Sequence, residues 1–201
     1  MSRNLKSLIK SAMGHLASTR FPYFFRLLAE KSGRSTVSVE INSAFIDINS
    51  KTSAKTIRIS RANSVYIMDM INFFNYYHES TDPIRVKING TWRDLVDFST
   101  PRFQKISGFD DFPIMCPSLV EPFITTQQYL DFATIQSDQT VIDLGCYSGL
   151  TSIAFSKAVG PNGRIISIEP DPVNFICCEK NIFQHMRSKD GVQNPGQARM
   201  A

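Results

Sequence analysis

The chain contains no apolar run near the roughly 20 residues that a membrane-spanning helix needs. It also lacks the continuous apolar core of a secretory signal. Its three histidines, His15, His78 and His185, have no ligand-like spacing, and its four cysteines, Cys116, Cys146, Cys177 and Cys178, form no C-x-x-C pairs. Both absences argue against a bound metal. Two of the cysteines are adjacent and cannot readily pair with each other. The pattern therefore reads as free, mostly buried thiols in a reducing compartment, and the expected location is cytoplasmic. No internal repeat or long low-complexity stretch is present. Aromatics nowhere interleave with a basic stripe, so nucleic acid is not an expected partner.

At 201 residues and 42% hydrophobic, the chain suffices for one medium domain or a domain with an appendage. The net charge of +4 is unevenly placed. Residues 1–34 carry seven basic side chains against Glu30 alone, an excess of +6, which leaves the other 167 residues at −2. In that segment Leu5, Leu8, Ile9, Ala12, Met13 and Leu16 fall on one helical face before Pro22 interrupts. Three readings compete for it: a helical arm packed on its own domain or a partner chain, a peripheral helix touching anionic lipid, or an organellar targeting peptide.

Residues 35–115 read as a small α+β cap or substrate-side region. Val37, Val39 and Ile41 alternate with polar residues, as do Ile57 and Ile59, and Ile84, Val86 and Ile88. Asn89-Gly90 predicts a two-residue hairpin returning through Trp92. Residues 63–79 read as one helix with Ile67, Met70, Ile71, Phe74 and Tyr77 on one side, and residues 49–55 as an exposed loop. Phe98, Phe103, Phe109 and Phe112 crowd a segment holding Asp110 and Asp111. It reads as a connector covering a sheet edge, or as a pocket wall with an aspartate acting as base.

Residues 116–201 carry the most information. Val141 and Ile142 lie in a short β-type run that ends in an acidic glycine turn containing Asp143, Gly145 and Gly149. A helix over 150–159, a Pro-Asn-Gly turn at 161–163 and a strand over 164–168 follow, closed by Glu169. This strand–turn–helix–turn–strand unit is how parallel α/β sheets bind an adenosine-containing cofactor. Glycine lets the backbone turn sharply and a ligand approach closely. The following helix aims unpaired N–H groups at an anionic group. Glu169, 20 positions after Gly149, stands where a second-strand carboxylate can accept from ribose hydroxyls. Tyr147 replaces the middle glycine of a dinucleotide turn. The D-x-G-x-x-x-G pattern therefore suits a smaller anion than pyrophosphate, such as the carboxylate of S-adenosylmethionine, and disfavours an NAD-binding oxidoreductase.

The words DLGCYSGLTS and IEPDPVNF resemble motif I and the second-strand acid of class I S-adenosylmethionine-dependent methyltransferases, in particular the FkbM type. That resemblance covers roughly residues 116–182. It implies that Asp143 and the backbone through Gly145, Cys146, Tyr147 and Gly149 contact the methionine end of the cofactor and that Glu169 holds the ribose. The implied activity is O-methylation of a small molecule or glycan, with the catalytic base unassigned. Read from the residues alone, Asp143 could instead cap the helix, Gly145 and Gly149 could serve turn geometry, and Cys146 could be a small side chain in a tight loop or a nucleophile. Just upstream, residues 125–132 read as a helix. By likeness to class I methyltransferases, including the protein isoaspartate methyltransferases, whose matching stretch leans over the cofactor, Glu121, Thr126 and Gln127 are candidates for closing the site, though Thr125 and Thr126 could equally be ordinary caps.

The expected fold class is α/β: a partial Rossmann-like methyltransferase sheet preceded by an α+β cap and a basic N-terminal helix. After Ile182 the chain has few apolar residues and no strand-like run, so the third to seventh strands of a methyltransferase sheet are expected to be missing. The first strand would then expose an apolar edge open to another chain. A truncated or fragmentary chain, or a non-catalytic remnant serving as an interaction protein, is the alternative to an enzyme.

Overall fold

The structure, a computed structural model, describes residues 36–188 and 199–200. The expected basic helix of residues 1–34 lies outside the described residues. The chain divides into two compact units, Met1–Thr100 and Pro101–Ala201.

The first unit is a five-stranded sheet. Strands β1 (Val37–Ile41), β2 (Phe45–Ser50) and β3 (Lys55–Ser60) form an antiparallel meander. A 3-10 segment (Arg61–Tyr66) and two short helices, α1 (Ile67–Asn72) and α2 (Phe74–His78), follow. A hairpin of β4 (Ile84–Ile88) and β5 (Thr91–Phe98) ends the unit. The order is β1-β2-β3-β5-β4, with β3 and β5 parallel. Asn89 and Gly90 both adopt positive φ between the paired Ile88 and Thr91, the geometry that a two-residue hairpin turn requires.

Two expectations are corrected here. The single helix over 63–79 is broken into three pieces, with non-helical dihedrals at Asn63 and Phe73. The amides of Phe73 and Tyr77 still bond Asp69 and Phe73 four residues back, so Phe73 is a kink rather than a loop. Ser64, Ile67, Met70, Phe74 and His78 are buried at helical spacing across the break, which is why the pattern reads as continuous. Ile71 and Tyr77 are only half-buried. The exposed loop over 49–55 is also shorter than expected: Asn49 and Ser50 are buried in β2, and Lys55 begins β3.

The strand β2 escaped the alternation test because both of its faces are covered. Ile46 and Ile48 enter the apolar core with Ile57, Ile59 and Phe98, while Asp47 and Asn49 are buried on the other side. Arg58 grips Asp47 in a two-pronged ion pair, Nε to Oδ1 at 2.7 Å and Nη2 to Oδ2 at 2.8 Å, and lies over the Phe45 ring. The Thr56 hydroxyl donates to Asn49 Oδ1 at 2.8 Å. Replacing Arg58 with Met strands a carboxylate that is 1% exposed. We expect a loss of about 3 kcal/mol in urea unfolding, partly restored by adding Asp47→Asn. A loss too small to measure would mean that the pair is dispensable.

The second unit opens with a two-stranded ribbon, β6 (Arg102–Gln104) and β7 (Ile114–Cys116). There follow α3 (Phe123–Ala133), β8 (Thr140–Leu144), α4 (Leu150–Val159), β9 (Arg164–Ile168), α5 (Pro172–Ser188) and β10 (Arg199–Met200). Strands β8, β9 and β10 are parallel in the order β10-β9-β8, which is one βαβαβ half of a doubly wound sheet. The fold class is mixed α/β, as expected. Phe155, Val159 and Ile165 form the core between α4 and the sheet, flanked by Leu130, Ile135 and Val141.

The third strand was expected to be missing, and this is corrected: Arg199 and Met200 pair in parallel with Ile166 and Ser167 of β9. A two-residue strand is too short to leave a periodic signature. The last helix likewise runs past Ile182 to Ser188. On the other side β8 ends the sheet among the described residues, with Ile142 58% and Leu144 74% exposed. The aromatic segment packs as a connector: Phe109 meets the rings of Phe112 and Phe123, and Asp111 pairs with Lys157. Among the described residues no helix is long and apolar enough to cross a membrane, and no cluster of side chains is arranged to hold a metal ion.

Candidate functional site

The turn from β8 into α4 is built by alternating left-handed backbone. Gly145 (φ 77°), Tyr147 (φ 53°) and Gly149 (φ 79°) all lie in the region that L-residues avoid. For Tyr147 this costs about 1–2 kcal/mol, and three hydrogen bonds hold it there. Its amide donates to Glu169 Oε2 at 2.9 Å, its hydroxyl donates to the Leu119 carbonyl at 2.8 Å, and the Ser118 hydroxyl lies 2.8 Å from it. The amides of Gly145 and Cys146 bond the Ile168 carbonyl, and that of Gly149 bonds the Cys146 carbonyl. These internal bonds fix the loop.

Asp143 sits at the end of β8, 8% exposed. It does not cap the helix backbone. Its Oδ2 accepts from the Ser152 hydroxyl in the first turn of α4 at 2.6 Å, and Ser167 of β9 donates to Ser152 at 2.7 Å. Strand register places Ser167 beside Asp143, so the relay follows from the sheet pairing. Burial pushes the Asp143 carboxyl above its ordinary range and the nearby Glu169 charge adds to the rise, against the opposing Ser152 bond.

Glu169 directly follows β9 and is 9% exposed. Besides Tyr147, it accepts from the Asp171 amide at 2.9 Å. Asp171 in turn accepts from the amides of Val173 and Asn174 and starts α5. Among the described residues neither Asp143 nor Glu169 has a basic partner. The N-cap position of α4 is Gly149, and no side chain caps the helix, so the first N–H groups from Leu150 onward remain available among the described residues. A Cβ added at Gly145 would meet nothing within 4 Å, whereas one at Gly149 would stand 2.8 Å from Cys178 Sγ.

The candidates named from the sequence thus come together at one turn: Asp143, Gly145, Cys146, Tyr147, Gly149 and Glu169. The Cys146 side chain points to Cys178 of α5, with the two sulfurs 3.2 Å apart. The upstream candidates are placed differently. Glu121 is exposed, Gln127 bonds Asp131 within α3, and Pro122 rather than a threonine takes the N-cap position of α3. Thr126 is buried in the helix, so the capping reading is corrected.

Sequence reading missed Ser152, Ser167 and Asn181. The buried Asn181 accepts from the Met115 amide and donates to the carbonyls of Met115 and Ser148, clipping β7, α5 and the turn together. The signal for the two serines was a small polar residue beside apolar ones, as in SIAFS and IISI, whereas Asn181, following Glu179 and Lys180, gave none.

With the site in view, the comparisons with known proteins can be placed. The sequence model of the protein-L-isoaspartate(D-aspartate) O-methyltransferase family matches residues 97–193, a span containing the whole turn. No curated protein matches the chain. Among solved structures, a SAM-dependent methyltransferase from Aquifex aeolicus is 20% identical with a TM-score of 0.30, covering 38% of this chain and 36% of that one. A candidate O-methyltransferase from Klebsiella pneumoniae is 16% identical with a TM-score of 0.30, covering 41% and 34%. A candidate transferase from Pyrococcus horikoshii is 11% identical with a TM-score of 0.39, covering 74% and 52%. The chain spans about a third to a half of the length of these proteins.

The raised pKa of Asp143 has a testable sign. A carboxyl whose folded pKa exceeds its unfolded value stabilises the fold at low pH and loses that contribution as pH rises from the unfolded value through the folded one. Asp143→Asn keeps an oxygen to accept from Ser152 and cannot ionise. We expect the variant to melt higher than the parent at neutral pH, with the gap closing toward about pH 4, the ordinary aspartate range. Thermal unfolding across that range checks this. A gap that stays constant with pH would contradict the burial argument.

Proposed function

We propose that the second unit binds S-adenosylmethionine in the β8–α4 turn and forms the cofactor half of a methyltransferase. The observation that carries this reading is the pair of buried carboxylates, Asp143 and Glu169, set without a basic partner among the described residues and beside an uncapped helix start. Two such acids favour a cationic ligand, and the helix start favours a carboxylate. S-adenosylmethionine offers a sulfonium, an ammonium, a carboxylate and a ribose diol. The first N–H groups of α4 take its carboxylate, Asp143 faces its cationic end, and Glu169 accepts from the ribose hydroxyls. The match to an O-methyltransferase family over this span supports the same reading.

The chain's own residues bind and orient. Methyl transfer is an in-line displacement at the sulfonium carbon, accelerated by holding donor and acceptor in line. The finer reading, by likeness to the FkbM type, is transfer to an oxygen of a small molecule or glycan. The four free buried thiols suit a cytoplasmic setting.

A second reading is a non-catalytic scaffold. It draws on the internal bonding of the turn, since four of its amides and both Glu169 oxygens are already engaged. Calorimetry with S-adenosylmethionine, S-adenosylhomocysteine and NAD separates the two. The enzyme reading requires binding of the first two in preference to NAD. Absence of binding by all three would leave the scaffold, and preference for NAD would move the chain to the oxidoreductases.

A further inference from the structure

Four thiols converge on α5 from two directions. Cys116 of β7 is buried, and its thiol is pushed up chiefly by that burial, with a further rise from Cys177 of α5. Cys178 meets Cys146 of the glycine turn at 3.2 Å, and both are buried, 0% and 3% exposed. Separated by 32 positions in sequence, this second pair is formed only by the fold. It also touches the turn's tightest point, because the Cys178 sulfur lies where a side chain at Gly149 would stand.

We propose that Cys146 and Cys178 form an oxidisable dithiol whose disulfide locks the glycine turn onto α5. A disulfide needs its sulfurs about 2.05 Å apart, so the pair must close by only about 1 Å. Cys146, 3% exposed against 0% for Cys178, is assigned as the attacking sulfur: the hydrogen bond between the two sulfurs, which either can donate, draws its thiol below the usual range, against burial and the charges of Asp143 and Glu169. Cys178 is pushed in the opposite direction, chiefly by the same bond, and acts as the resolving thiol.

With hydrogen peroxide as oxidant the chemistry balances. The Cys146 thiolate attacks one peroxide oxygen, the O–O bond breaks, and the departing hydroxide takes a proton to leave as water. The sulfenic acid on Cys146 then condenses with the Cys178 thiol, forming the S–S bond and releasing a second water. The sulfurs lose two electrons and the peroxide gains them. A dithiol reductant reverses the linkage by exchange.

Closing the bond draws the Cys146 backbone toward α5, and with it the neighbouring Tyr147 amide that holds Glu169. Resting on the cofactor reading above, the linked form binds S-adenosylhomocysteine at least tenfold more weakly than the reduced form.

The test uses the full chain, treated with hydrogen peroxide, alkylated, digested without reductant and mapped by mass spectrometry. The expected product is a Cys146–Cys178 linked peptide that dithiothreitol releases, that Cys178→Ser abolishes and that Cys116→Ser leaves intact. Recovery of all four thiols alkylated, over-oxidation of Cys146 without linkage, or a dominant Cys116–Cys177 link would overturn the proposal. Should Cys178→Ser fail to fold, the parent and Cys116→Ser maps still decide it. Calorimetry on both redox forms keeps the two readings apart. Equal binding by both forms defeats the lock. No binding by the reduced form defeats the cofactor reading, while the linked peptide alone decides the dithiol.

Discussion

A Glu169→Gln variant is expected to bind S-adenosylhomocysteine roughly tenfold to a hundredfold more weakly than the parent chain. The estimate comes from exchanging a charged hydrogen-bond acceptor for a neutral one, at about 1.5–3 kcal/mol. The carboxylate accepts from two backbone amides, one in the glycine turn and one at the exit of its own strand. Gln must present its NH₂ to one of them, so the fold loses stability as well. Binding is therefore to be measured by calorimetry at a temperature where circular dichroism shows the variant folded. An unchanged Kd in a folded variant would reduce Glu169 to a brace for the turn, and the methyltransferase reading would lose its ribose contact.

The second large effect concerns the two glycines, which look equivalent in sequence and differ in their surroundings. Gly149→Ala forces a side chain into left-handed backbone, at about 1–2 kcal/mol. It also drives a Cβ to 2.8 Å from Cys178 Sγ and 3.5 Å from the backbone of α5. A total of about 2–4 kcal/mol follows if the collision adds about 1–2 kcal/mol of overpacking. Gly145→Ala has the same backbone cost and no collision. Adding Cys178→Ala to Gly149→Ala should recover the collision part and leave the backbone part. The binding readout runs the other way. The open space at Gly145 is where the proposed cofactor approaches, so Gly145→Ala should impair binding more than its modest stability loss would imply. Chemical denaturation and calorimetry on the three variants check both halves. Equal stability losses at 145 and 149 would sink the packing argument.

Much of the second unit was legible because its signals are local. The helix after the turn and the strand before Glu169 have the bounds read from sequence, since glycine and the Pro-Asn-Gly turn punctuate them. The Asn89-Gly90 hairpin was legible for the same reason. What escaped was satisfied through space. The polar pairs Asp47–Arg58 and Asn49–Thr56 bond across strands and bury Asp47 and Asn49, so β2 did not alternate visibly. Asn181 has meaning only once β7 lies beside α5. The kink at Phe73 hid because burial keeps a helical rhythm across it, and β10 hid because only two residues pair. The candidate ligand residues were found together, but how many of their hydrogen-bonding groups the turn itself uses could not be read from a string.

The parallel pairing of β3 with β5 bears on how the first unit assembles. Parallel neighbours cannot be joined by a tight turn, and here residues 61–90 intervene. The meander β1–β3 and the hairpin β4–β5 are each local and can form early, whereas the seam between them requires that whole crossover to close. Refolding of this unit should therefore be paced by one late, non-local docking event. Substitutions at the seam, such as Ile57→Val, should slow folding more than equally destabilising ones at the β4–β5 turn.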